Sequence, residues 1–280
     1  MIGELILGWL SLPPEQVLAH TEDSPEARPQ NPLGLLEAEY PDLGELLRDK
    51  HVLDFGCGFG YQTALLAKSL KYQCASAQGL EINPSYFTAA QRLHPGVTFI
   101  DRLCDYKYDV VISQDSMEHF SDPEARLRDM MSALRPGGHI LMTFGPPWFS
   151  PWGSHMHFFC KVPWLNILFR ERTIMTVRSR YRQDGALRYE DVESGLNRMS
   201  VHKFERIVHA CRLEIVQQRY GAFKRLNFLT RIPLIRELCT IRVTVVLRPD
   251  TPATSTAGVS GHHWITASPR RPTDSRDRSR

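Results

Sequence analysis

The sequence predicts an α/β protein in which a largely parallel sheet is wound with helices. Three observations carry that expectation. The apolar run Val52-Leu53-Asp54-Phe55 passes through Gly56-Cys57-Gly58-Phe59-Gly60 into Tyr61-Gln62-Thr63-Ala64-Leu65-Leu66-Ala67, which reads as a strand turning sharply into a helix. Glycines at such a turn leave backbone N–H groups bare and let a ligand approach the main chain with no Cβ in the way. Short apolar runs then alternate with helical patterns, the signature of strands connected by crossover helices. A second run ends in Gly79-Leu80-Glu81-Ile82-Asn83-Pro84, which places a carboxylate at a strand end.

Taken in order, strands are expected at 51–56, 77–82, 97–100, 108–114 and 138–145, with helices at 61–71, 84–93 and 122–134. Asp122-Pro123-Glu124 is a strong helix start, with Asp as the cap and Pro in the first turn. The same helix ends at Arg135-Pro136-Gly137-Gly138, where glycine permits the chain to turn. Beyond 145 the rhythm changes. Residues 146–199 are aromatic, basic and irregular, and Met199 to Cys211 is helical again. Two more strands are expected at 213–220 and 241–247. No internal repeat is visible.

The ends differ in character from the middle. Met1 to Leu12 is apolar but too short to span a bilayer, and it lacks a basic leader region and a small-residue cleavage site. It is read as an amphipathic helix packed on the domain, in preference to a membrane-surface anchor. Residues 13–32 form a Pro- and Glu-rich linker, so the organisation is an N-terminal helix and linker over 1–32 and a domain over 33–248. From 249 to 280 a Pro-, Ser-, Thr- and Arg-rich tail buries too little surface to offset its ordering entropy and is expected to be disordered.

Composition narrows the class. Of 280 residues, 42% are hydrophobic and 23% charged, as in a globular protein. The net charge of +3 includes +2 from five Arg and three Asp beyond residue 248. The near-neutral remainder offers no electrostatic footprint for nucleic acid. Six scattered cysteines with no Cys-x-x-Cys pair read as reduced thiols in a cytoplasmic protein.

The glycine spacing separates two classes of nucleotide cofactor. A dinucleotide fingerprint requires glycine three positions after Gly58, where this chain has Tyr61. The pattern Asp54-x-Gly56-x-Gly58-x-Gly60 instead resembles motif I of the class I S-adenosylmethionine-dependent methyltransferases. Three further segments resemble the same family in the same order. They are Glu81 at the second strand end, Tyr108 through Gln114 to Glu118-His119 at the fourth, and Leu134-Arg135-Pro136-Gly137-Gly138-His139 before the fifth. The resemblance is closest over 51–145, and nearest to members that act on small metabolites, lipids and quinones.

That resemblance implies a Rossmann-like seven-stranded sheet with an antiparallel last strand and a cap or substrate insertion at 146–199. It implies S-adenosylmethionine as cofactor, held by Asp54, Gly56, Gly58, Gly60, Glu81, Ile82 and Gln114. Asp54 would take the amino group, directly or through water. Glu81 would accept from both ribose hydroxyls, and Ile82 or Asn83 would flank the adenine. Asp101 is the candidate for the adenine amino group, with Asp105 competing because the loop before the fourth strand is short. The reaction implied is methyl transfer to a small organic substrate, with oxygen the favoured acceptor. Base candidates are His119, His155 and His157.

On an extended segment, the rings of His155 and His157 would share a face and line a substrate pocket. A metal there, with Cys160, lacks a second ligand pair and is not expected. The basic run Arg170 to Arg182 reads as a solvated helix face, the alternative being a site for an anionic substrate. No Asn/Asp-Pro-Pro-aromatic motif follows the fourth strand, and no Pro-Cys occurs there, which argues against nucleobase substrates; Gly145-Pro146-Pro147-Trp148 lies one strand later and reads as a turn. Other classes remain open: a non-catalytic S-adenosylmethionine-binding scaffold or regulatory protein, and a nicotinamide-dependent oxidoreductase.

Overall fold

Buried aliphatic side chains alternate between the two faces of a seven-stranded sheet in the computed structural model, which describes residues 2–17, 31–105, 107–192, 195–223 and 227–250. Val52 belongs to one core and its neighbour Leu53 to the other, and Val110 and Val111 divide in the same way. This two-sided burial is what a sheet covered by helices on both faces requires.

Helix α1 (Ile2–Leu10) precedes α2 (Gly34–Glu39) and α3 (Leu43–Leu47), which lead into β1 (His51–Phe55). There follow α4 (Tyr61–Lys68), β2 (Ser76–Leu80), α5 (Pro84–Leu93), β3 (Thr98–Ile100), β4 (Tyr108–Gln114), α6 (Pro123–Ala133) and β5 (Leu134–Phe144). The cap contains α7 (Leu165–Leu168) and α8 (Glu171–Arg178). The chain closes with α9 (Val201–Ala210), β6 (Leu213–Ala222), α10 (Pro233–Cys239) and β7 (Thr240–Pro249). Strand order is β3-β2-β1-β4-β5-β7-β6. Strands β1 to β5 pair in parallel, and β7 runs antiparallel to both β5 and β6. The expected class I methyltransferase sheet is present, with its antiparallel last strand inserted between β5 and β6.

One core lies between the sheet and α6 and α9, and includes Leu127, Met130, Phe144 and Phe204. The other joins α2, α3 and α4 through Leu36, Leu43, Leu47 and Leu66. Tyr40 pins the second core to the sheet, its hydroxyl donating to the carbonyls of Met142 and Val245 on the paired strands β5 and β7. A third core belongs to the cap and takes Leu7 of α1 together with Phe159, Leu165, Ile174 and Tyr189. The N-terminal helix therefore packs on the cap.

Helix starts follow the local chemistry. Asp122 accepts from the Ala125 N–H at 3.0 Å ahead of α6, and Pro123 supplies its first turn. Asn83 caps α5 and Ser200 caps α9 in the same manner. One boundary differs from expectation: β5 begins at Leu134, four residues before 138. Leu134 pairs with Tyr108, and a register shift between Tyr108 and Val110 absorbs the glycine turn within the ladder. Most of the linker and the tail from 251 lie outside the described residues. Among the described residues, no helix is long and apolar enough to cross a membrane.

Phe204 is fully buried and its ring centroid lies 4.8 Å from that of Phe144. Phe204→Ala should cost about 3–5 kcal/mol in denaturant unfolding. Leu70→Ala, at a side chain 90% exposed, should stay within about 0.5 kcal/mol of the parent.

Candidate active site

Parallel sheets open a crevice where strand order reverses, and here that point lies between the carboxyl ends of β1 and β4. A cleft of about 340 Å³ occupies it. Its walls come from the glycine turn, from Gln114 and Asp115 at the end of β4, and from Asn31, Pro32 and Leu35 ahead of β1.

Gly56, Gly58 and Gly60 all have positive φ, at 77°, 54° and 76°. The last two are needed for different reasons. A Cβ on Gly60 would stand 2.5 Å from the Phe99 ring, so packing excludes it. A Cβ on Gly58 would meet no heavy atom within 4 Å. Its main chain is open to a ligand, and a side chain would be strained there by φ alone. Phe59 and Tyr61 do not close the turn. Their rings pack edgewise on Tyr86 and His94, with centroids 4.8 and 4.9 Å away.

Glu81 braces this turn. One carboxylate oxygen accepts from the Gly58 N–H at 2.9 Å and the other from the Asn83 N–H at 2.8 Å. The side chain thereby links the loop after β1 to the start of α5 while buried at the end of β2. Each carboxylate oxygen keeps further acceptor capacity.

Asp54 is buried below the glycines, accepting from the Gln62 side-chain amide at 3.0 Å and the Thr63 hydroxyl at 2.7 Å. Burial pushes its carboxyl up to about 6; the bonds from Thr63 and Gln62 oppose the shift, and the charge on Glu81 adds to it. Asp115 stands at φ 48° directly after β4, paired with Arg242 of β7 at 2.7 Å. Burial raises its pKa and the Arg242 guanidinium opposes that rise. Two carboxylates, Asp54 and Asp115, line the small cleft, and Glu81 lies behind the glycine turn, an arrangement that favours a cationic ligand.

The expected adenine contacts are not gathered with the rest. Ile82 is 62% exposed just beyond β2. Asp101 is exposed beside Arg102 and, like the exposed Asp105, is absent from the cleft wall.

The histidines are arranged differently from the expectation. Residues 150–159 form successive turns in place of an extended strand, so His155 and His157 do not share a face. His155, at φ 55°, has its ring 5.8 Å from that of His119, while His157 is exposed. His155 lies 3.2 Å through Nε2 from the Pro146 carbonyl, and burial lowers its pKa to about 4, so it is neutral at pH 7. His119 lies 2.8 Å through Nδ1 from the Gly195 carbonyl. A carbonyl only accepts, so the proton sits on Nδ1 and Nε2 is left as the acceptor.

Sequence reasoning missed Asp115, Arg242 and Glu118. Glu118 is buried, with one oxygen accepting from the Gly145 N–H at 2.9 Å and the other unpartnered. Burial and the Asp115 charge raise its pKa to about 8, which keeps it protonated at neutral pH. Its place in the Glu-His pair was visible, but its burial depends on the cap. The basic run is largely exposed, as expected of a solvated face, except that Arg178 is buried and paired with Asp184.

The sheet order and this cleft define the class I methyltransferase architecture. The methyltransferase domain family matches residues 31–218, and the chain belongs to that family, whose cofactor is S-adenosylmethionine. It is 30% identical over 131 residues to a ubiquinone biosynthesis O-methyltransferase of Marinobacter nauticus, covering 42% of this chain and 53% of that one. With the protein of the same description from Serratia proteamaculans it shares 32% over 107 residues, covering 34% and 42%. The chain spans about half the length of these curated relatives. A solved S-adenosylmethionine-dependent methyltransferase of Mesorhizobium loti is 16% identical at a TM-score of 0.47, over 75% of this chain and 97% of that one.

The open backbone at Gly58, the braced Glu81 carboxylate and the acidic walls fit a ligand bearing a ribose diol and positive charge. Protonating Asp54 removes one negative charge from the cleft. Affinity for S-adenosylmethionine should therefore fall as pH drops through about 6, by about tenfold between pH 7 and pH 5. Calorimetric titration of the parent and of Asp54→Asn checks this, and the variant should lose most of that pH dependence.

Proposed function

We propose that the protein is an S-adenosylmethionine-dependent methyltransferase acting on a hydroxyl group of a small organic molecule. The observation that carries this reading is the Glu81 brace, which holds two acceptor oxygens at the strand end beside the glycine turn, where a Cβ on Gly58 would meet open space. The cofactor supplies an electrophilic methyl group on a sulfonium centre. Because that group is already activated, positioning supplies most of the acceleration.

Glu81 would hold the ribose hydroxyls, Asp54 the amino group, and Gly56, Gly58 and Gly60 the main-chain approach. Gln114 borders the same cleft and would contact the cofactor from β4. Ile82 and Asp101 remain candidates for the adenine end. Among the base candidates, His119 is best prepared, since Gly195 fixes its tautomer with Nε2 free to accept a substrate proton. His155 serves as its neighbour: already neutral, it keeps one ring proton toward the Pro146 carbonyl and shapes the site without carrying a positive charge at pH 7. His157, exposed, ranks last. Oxygen as acceptor accords with the relatives, which are O-methyltransferases of ubiquinone biosynthesis.

Labelled methyl transfer into a small-metabolite extract is the test. Incorporation should appear with the parent and fall about 30-fold or more in Glu81→Ala, which loses charge-assisted hydrogen bonds. His119→Gln should lower kcat by about 10²-fold or more with cofactor affinity retained. Equal incorporation with Glu81→Ala removes that residue from its role. No incorporation in any variant favours a scaffold, and calorimetric binding of NAD without S-adenosylhomocysteine overturns the reading.

A further inference from the structure

Helix α1 is apolar on both sides, and only one side is used. Leu7 is fully buried in the cap core, and the packed side also carries Gly3 and Gly8. A Cβ on Gly3 would lie 3.4 Å from Thr173, and one on Gly8 3.0 Å from the Arg180 guanidinium, so α1 runs alongside α8. The opposite side presents Ile2, Leu5, Ile6 and Trp9, a helical i, i+3, i+4, i+7 stripe. Ile2, Leu5 and Trp9 are 76%, 73% and 85% exposed, and Ile6 is exposed as well. An isolated surface leucine needs no explanation, but four large apolar side chains on one face of one helix do.

The surroundings of the stripe specify its occupant. Residues 161–182 carry Lys161, Arg170, Arg172, Arg178, Arg180 and Arg182 against the single acid Glu171. Arg178 is engaged by Asp184, and Glu171 is neutralised by Arg198. Lys161, Arg170, Arg172 and Arg180 are exposed on the element against which α1 packs or on its flanks. Next to that element, α7 turns Ile167 and Leu168 outward. Within residues 2–17 the acids are Glu4 and Glu15. An apolar stripe with an exposed tryptophan, on a helix too short to span, beside a basic flank, complements an anionic lipid surface.

We propose that α1 and the flank of α8 form a docking surface for an anionic phospholipid bilayer, with α1 lying in the interface and Ile2, Leu5, Ile6 and Trp9 entering the acyl boundary. The arginines and lysine meet the headgroups. This surface lies on the cap, which also supplies His155, so docking would hold the cap at the membrane. The site is distinct from the cofactor cleft and does not depend on the reaction assigned above.

Flotation of the full-length protein with vesicles is the test. The parent should float with phosphatidylcholine vesicles containing phosphatidylglycerol and float about tenfold less with phosphatidylcholine alone. Leu5→Ser combined with Trp9→Ser should reduce binding to the anionic vesicles about tenfold or more, and Arg170→Glu combined with Arg172→Glu should reduce it as well. These side chains face solvent, so circular dichroism and S-adenosylhomocysteine affinity should be unchanged in both variants. Parent protein that stays in solution with either vesicle overturns the proposal, as does equal flotation of the Leu5/Trp9 variant. Light scattering that shows a dimer split by the same substitutions assigns the stripe to a second copy of this chain instead, and also overturns it.

Discussion

The cleft depends on one carboxylate holding two loops. Glu81 accepts from the Gly58 N–H and from the Asn83 N–H, so the turn after β1 and the start of α5 cannot move independently. Without it, the amide of Gly58 would be left to water, at the middle of a turn with three glycines at positive φ whose ends are held by Gly56 and Cys57 donating to Leu80 and Gly60 donating to Cys57. The parallel ladder places the strand ends side by side, since Phe55 pairs with Leu80 and the next residues are the glycine turn and Glu81. Sheet register thus determines site geometry directly. Packing reinforces it where Gly60 meets the Phe99 ring of β3, so three neighbouring strands converge on one bend.

Much of the fold was legible because strand and helix signals here are local. Asp122-Pro123 reads as a helix start and acts as one, and the alternation of Val52 and Leu53 between faces follows from the pleat. The shape of the glycine turn was legible in part for the same reason. Asp54 meets the Gln62 and Thr63 side chains of the helix that follows, and Glu81 meets the Asn83 N–H two residues on, while its bond to Gly58 comes through the sheet register. The rest of the site was not. Asp115 is defined by Arg242, 127 residues further on, and neither residue stands out in isolation. His155 and His157 read as partners on a strand, but tight turns over 150–159 separate them, a conformation set by packing in the cap core. The start of β5 was misplaced because the glycine turn reads as an interruption, whereas a register shift keeps it within the ladder.

Electrostatically, the site has two compartments. Toward the glycines, Asp54 and Asp115 line the cleft, and Arg242 pairs with Asp115. Toward the cap, Glu118 and His155 are held neutral at pH 7 by burial. A positively charged ligand is favoured in the first compartment, and the second is lined by neutral Glu118 and His155 with the Arg198 guanidinium at its border. Arg198, at φ 57°, borders the small cavity beside Glu118, where its guanidinium lies over the rings of Trp148 and Tyr189 and pairs with Glu171 and Glu190.

Both ends of the cap are sewn to the same short turn after β4. Gly145 donates to Glu118 at the outgoing end. At the returning end the Asn197 amide donates to the carbonyls of Met117 and Phe120, and its backbone N–H to that of Glu118. Between those anchors the chain can diversify provided that the Gly195 carbonyl still meets His119 and His155 still stands beside it. Such an arrangement is an exchangeable cassette: relatives could trade entire lids, altering what enters, so long as the two stitches and the residues they join are kept.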